Sequence, residues 1–184
     1  MAVYGYSEVG VKQLILGGAR SGKSRYGEQQ VLAQARGLQP VYIATASEPE
    51  SDAEMAQRIA KHRVDRGEQW QCIEEPLHLG ALIERLHSNS APVLVDCLTL
   101  WLSNCLLADT WAKERAHFLQ AFAEAPGSIT LISNEVGLGI VPMGEINRRF
   151  VDESGFLHQA LAACCDRVVF CAAGLPMVLK DVSP

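Results

Sequence analysis

The chain has 184 residues, of which 48% are hydrophobic and 20% charged, the make-up of one globular domain with a substantial core. Sixteen basic against 21 acidic side chains leave a formal charge of −5. That argues against a nucleic-acid binder, because phosphate backbones are gripped by concentrated Lys and Arg. No apolar run reaches the roughly 18 residues of a membrane span, and residues 1–10 lack the basic start and apolar segment of a secretory signal. The expectation is a cytoplasmic protein with a short extension at 1–10 ahead of a single domain over 11–184. Cys72, Cys97, Cys105, Cys164, Cys165 and Cys171 mostly sit in apolar runs without metal-ligand spacing, so they read as small core residues in a reducing compartment.

In chain order, residues 11–16 form an apolar strand that runs into Gly17-Gly18-Ala19-Arg20-Ser21-Gly22-Lys23-Ser24. A helix over 22–36, ended by Gly37, follows at once. This strand–turn–helix setting with Gly, four residues, then Gly-Lys-Ser is a phosphate loop. Its glycines let successive backbone N–H groups surround a phosphate at a helix N-terminus. Lys23 would reach the β- and γ-phosphates, and Ser24 would offer its hydroxyl to Mg²⁺.

Residues 40–45 read as a second strand. A polar stretch from Ala46 to Asp52 leads into a helix that runs to about Arg66. Within it Arg58, His62 and Arg66 share a face at four-residue spacing, with Arg63 beside Arg66. Like charges at that spacing repel, an arrangement that a triphosphate would offset. The arginines would also hold His62 below the usual histidine pKa, leaving a neutral imidazole able to attack phosphorus. His78, His87, His117 and His158 have no such company. The alternative is a plain surface histidine.

Residues 70–73 are a short strand that ends near Glu74 and Glu75, either of which would touch Mg²⁺, a base, a ribose or only solvent. A helix over 77–87 follows. The apolar strand 92–95 closes on Asp96, which would order Mg²⁺ or cap the next helix. Helices cover 98–107 and 111–124, and a strand covers 128–133. The loop 134–142 carries two glycines among apolar residues. It would cover a large, partly apolar substrate, pack on another subunit, or lie anchored by Asn134. A helix over 144–164, a strand over 167–171 and an edge strand near 177–180 complete the chain. Apolar strands separated by helices imply an α/β fold: a mainly parallel sheet with helices on both faces and ligands at the carboxyl ends of the strands.

Taken together, GGARSGKSR at 17–25, YIATA at 42–46, KHRVDRGEQW at 61–70, IEEP at 73–76, DCLTLWLSN at 96–104 and SNEVGLGIVP at 133–142 resemble one family. It is the bifunctional adenosylcobinamide kinase/adenosylcobinamide-phosphate guanylyltransferase family. The resemblance covers most of the chain from Lys12 to Lys180 and implies a single-domain, RecA-like P-loop NTPase that assembles as a homotrimer. It implies phosphorylation of adenosylcobinamide by ATP or GTP, then transfer of GMP from GTP to that phosphate through a histidine-GMP intermediate at His62, with Mg²⁺ as cofactor. Nucleotide-contacting positions carry over to Gly17, Gly18, Ala19, Arg20, Ser21, Gly22, Lys23, Ser24, Arg25, Thr45, Ala46, Ser47, Arg63, Val64, Asp65, Arg66, Glu74 and Asp96. Ser24 and Asp96 are the implied metal ligands. The family often has Arg-Pro where this chain has Arg66-Gly67, which leaves the exit of the histidine helix softer. The rival reading is a small-molecule P-loop kinase without guanylyltransferase activity; a nucleotide-dependent switch or assembly protein is a more distant one.

Overall fold

A computed structural model describes residues 10–46 and 67–182. Seven strands form one sheet: β1 (Lys12–Gly17), β2 (Val41–Ala44), β3 (Gln71–Glu74), β4 (Val93–Asp96), β5 (Ile129–Asn134), β6 (Arg167–Ala172) and β7 (Leu175–Asp181). Their order across the sheet is β3-β2-β4-β5-β1-β6-β7. All neighbours are parallel except β7, which returns antiparallel to β6. The five described α-helices are α1 (Lys23–Gln34), α2 (Leu79–Arg85), α3 (Leu98–Leu107), α4 (Trp111–Glu124) and α5 (Glu145–Cys164).

The two-residue period of the strands sorts their side chains into two cores. Leu14, Val41, Ile43, Val93, Val95, Leu131 and Val168 point to one face, against Leu82 of α2, Trp101 of α3, Phe118 of α4 and Leu161 of α5. Ile15, Tyr42, Leu94, Ile132 and Val169 point to the other face, against Val31 of α1. Both faces are covered, which is why the central strands read as unbroken apolar runs. On the α1 face Gly27 lies so close to the sheet that a Cβ there would meet the Ile132 side chain at 2.6 Å.

Helices 98–107 and 111–124 form as the sequence implies. The helix expected over 77–87 is shorter, because the Glu75 carboxylate accepts the N–H groups of Leu77 and His78 at 3.1 and 2.8 Å and turns the chain before α2 begins. The expected edge strand is longer, pairing from Leu175 to Asp181 behind a turn at Ala173 and Gly174, both with positive φ.

Candidate active site

The carboxyl ends of β1, β2, β4 and β5 converge on one edge of the sheet. At the end of β1 the chain folds through Arg20 (φ 56°) and Gly22 (φ 91°), both left-handed. A side chain at Gly22 would meet Gly174 Cα at 3.0 Å, so the β6–β7 turn braces the loop from outside. The Gly174 N–H donates to the Ser21 carbonyl at 2.9 Å in the same contact. Helix α1 starts with no side-chain cap and no acidic residue in its first turn. Its leading N–H groups and positive dipole end are therefore offered to an external anion. Lys23 is 8% exposed, and its Nζ donates to the Gly18 carbonyl at 3.1 Å. Gly17 and Ser21 are buried, Gly18, Gly22 and Ser24 half-buried, and Ala19, Arg20 and Arg25 exposed.

Asp96 lies at the end of β4, where its Oδ2 accepts the Tyr42 hydroxyl at 2.9 Å. Asp96 does not cap α3; the N-cap is Cys97, whose side chain makes no capping bond to the backbone. Thr45, fully buried, donates its hydroxyl to the Cys97 carbonyl at 2.7 Å and accepts the Cys97 N–H at 2.9 Å. Its N–H donates to the Asp96 carbonyl at 3.2 Å, and Asn104 Nδ2 donates to the Thr45 carbonyl at 2.9 Å. Thr45 thus clamps the backbone that carries Asp96, and Ala46 follows it half-buried. Glu74 ends β3 opposite Ala44 and is exposed, whereas Glu75 is committed to the turn before α2. Asp96 and Ser24 offer only oxygen donors, the chemistry that suits Mg²⁺ held between protein and phosphates. Ser47, Arg58, His62, Arg63, Val64, Asp65 and Arg66 lie outside the described residues.

Beside the phosphate loop, β5 ends in a second set of polar groups. The Glu135 N–H donates to the Gly17 carbonyl at 3.1 Å, tying the two strand ends together. Asn134 Nδ2 donates to Thr99 Oγ1 at 2.8 Å. His158 of α5 is 7% exposed; its Nε2 lies 2.7 Å from Ser133 Oγ, and its Nδ1 lies 3.8 Å from Glu135 Oε2. Burial holds His158 below the usual histidine value, with Glu135 pulling the other way. Sequence reasoning passed over this residue. The signal was present: Ser154, Leu157, His158 and Leu161 are the buried stripe of α5, so its histidine had to face the sheet. His78, His87 and His117 instead bond Glu114, the Ala121 carbonyl and Glu84, and so link α2 and its flanks to α4. Burial pushes the Cys97, Cys105 and Cys165 thiols up, the last two to about 11 and about 12, which leaves them protonated core groups at neutral pH.

The family described as cobinamide kinase / cobinamide phosphate guanyltransferase matches residues 13–179. The chain belongs to that family. It is 53% identical to the bifunctional adenosylcobalamin biosynthesis protein CobP of Pseudomonas aeruginosa, over 92% of this chain and 98% of that one. It is 36% and 35% identical to the CobU proteins of Escherichia coli and Salmonella typhimurium, over 91% of this chain and 98% of each relative. Among solved structures the ATPase domain of G40P superposes with a TM-score of 0.54 at 15% identity, covering 98% of this chain and 80% of that one. That likeness is one of fold alone. The α/β expectation, a mainly parallel sheet with helices on both faces, is met.

Proposed function

We propose that the protein phosphorylates the hydroxyl of adenosylcobinamide with ATP or GTP, then transfers GMP from GTP to that phosphate, giving adenosylcobinamide-GDP and pyrophosphate. The observation that carries this reading is the uncapped start of α1 beside the buried Lys23 ammonium, within a chain of the cobinamide kinase / guanyltransferase family. Loop N–H groups and Lys23 would hold the β- and γ-phosphates in both reactions. Mg²⁺, held by Ser24 and Asp96, would supply charge neutralisation along the phosphate chain. Tyr42 and Thr45 keep Asp96 aimed for that task.

In the second reaction His62 would attack the α-phosphorus, forming an N–P bond as the P–O bond to pyrophosphate breaks. An oxygen of the acceptor phosphate would then displace the imidazole. Arg63 and Arg66 would neutralise the phosphoryl oxygens. Incubation with α-labelled GTP tests this: His62→Ala should abolish protein-bound label and guanylyl transfer while sparing much of the kinase activity. Wild-type labelling in that variant would sink the histidine assignment.

We infer a homotrimer in the cytoplasm, with no nucleic-acid partner. Exposed apolar side chains on β7, among them Leu175, Met177 and Leu179, support association, and light scattering would measure the mass. Among the described residues no helix is long and apolar enough to cross a membrane.

A further inference from the structure

The two proposed reactions differ in one respect that bears on the residues at the end of β5. The kinase acceptor is a hydroxyl, which must lose its proton as its oxygen bonds to phosphorus. The guanylyl acceptor is a phosphate already carrying anionic oxygens, so no proton need be taken from it. The protein therefore needs a proton acceptor for the first reaction only. Lys23 cannot serve, being a donor on the phosphate side, and Asp96 already accepts the Tyr42 hydroxyl and is assigned to the metal.

Glu135 meets the requirement. Its backbone N–H donates to the carbonyl of Gly17, the residue that opens the phosphate loop, so the two residues stand side by side at the ends of their strands. Strand alternation sends Ser133 and Glu135 to the α5 face, opposite α1 and its phosphate-binding turn. One carboxylate oxygen accepts the Gly137 N–H, and the other lies 3.8 Å from His158 Nδ1. Ser133 is fully buried; its hydroxyl, donating to Nε2, would leave the imidazole proton on Nδ1, facing the carboxylate. The Glu135 side chain is 21% exposed, so its carboxylate is flanked by Gly137 and His158 while an edge stays open. Past it, Leu138, Ile140, Val141 and Met143 stand exposed, an apolar rim suited to a large, partly apolar acceptor.

We propose that Glu135 is the catalytic base of the kinase reaction, and that His158 and Ser133 are positioning residues that hold its carboxylate toward the acceptor. The inference rests on the functional reading above. The hydroxyl oxygen bonds to the γ-phosphorus, the bond from that phosphorus to the β–γ bridging oxygen breaks, and the nucleoside diphosphate leaves with the electron pair. The hydroxyl proton passes to Glu135 and then to solvent.

The test uses Glu135→Ala with three readouts: kinase kcat, labelling by α-labelled GTP, and GMP transfer to pre-formed adenosylcobinamide phosphate. Kinase kcat should fall roughly 10²-fold, and sodium formate, a small carboxylate, should restore about tenfold of it, while labelling and GMP transfer stay within about threefold of wild type. A kinase rate within about threefold of wild type, an equal loss of both reactions, or a loss that formate does not relieve would each overturn the assignment. His158→Phe should lower kinase kcat about tenfold, with His158→Asn, which keeps a donor where Nδ1 stood, recovering most of it. Equal rates in the two variants would remove His158 from the proposal. A wild-type protein that does not phosphorylate adenosylcobinamide would defeat the functional reading itself; an active wild type matched within about threefold by E135A would defeat only the base.

Discussion

The loops that follow β1 and β5 leave neighbouring strand ends, yet they are built from different materials. The first is backbone: two left-handed residues, an uncapped helix start, and one buried lysine folded onto its own loop. The second is side chains: Asn134 on Thr99, Glu135 beside His158, His158 on Ser133. Its tip then stands clear of the sheet, with Leu138 82% and Ile140 98% exposed. Backbone suits a phosphate, which is the same in every nucleotide and asks only for donors around a sphere. Side chains suit the acceptor, whose shape and protonation change between the two reactions.

The contrast can be broken most severely at Lys23. Lys23→Ala should lower both activities by roughly 10²–10³-fold, since each developing charge loses the same buried cation. An unchanged kinase rate would mean that the two reactions do not share the loop. Next in size is Gly22→Val. Forcing a branched residue to φ 91° costs about 1–2 kcal/mol, and the new Cβ would press on Gly174 Cα at 3.0 Å. Nucleotide affinity, read by calorimetry, should drop about tenfold or more, with both reactions falling together.

On the other loop, Ile140→Asp should raise KM for the corrinoid about tenfold and leave KM for GTP unchanged, since an exposed substitution of this kind shifts folding stability by no more than about 0.5 kcal/mol. A parallel rise in both KM values would erase the division of labour. The smallest effect lies beneath that loop. His158 binds a proton less readily folded than unfolded, so below about pH 6.5 the unfolded chain takes up more protons. The stability held above that pH is lost as pH falls from there toward the lower folded value. Thermal melts from pH 7.5 to 5.5 should show a steeper loss in wild type than in His158→Gln; identical slopes would remove His158 from the account.

The phosphate loop was readable in the sequence because its chemistry is local. Backbone shape there follows from glycine spacing, and the spacing survives without tertiary context. Asp96 was readable for a related reason: an acid ending an apolar run marks the end of a buried strand. Thr45 was legible as a position but not as a task, because its partners at Cys97 and Asn104 lie more than 50 residues away. Glu135 and His158 are separated by 23 positions and meet only when α5 packs across β5. The shortened start of α2 was hidden likewise, since a carboxylate competing for two backbone N–H groups looks, in sequence, like helix continuing.

The Lys23–Gly18 bond bears on how a turnover ends. A buried ammonium stripped of its anion would be costly, and that cost would hold pyrophosphate or a nucleoside diphosphate in place. Gly18 supplies a carbonyl 3.1 Å from Nζ, within the same loop, that can take the lysine as the product departs. Such a handover would lower the barrier to release by substituting one partner for another. A loop that gripped through charge would thereby also be able to let go.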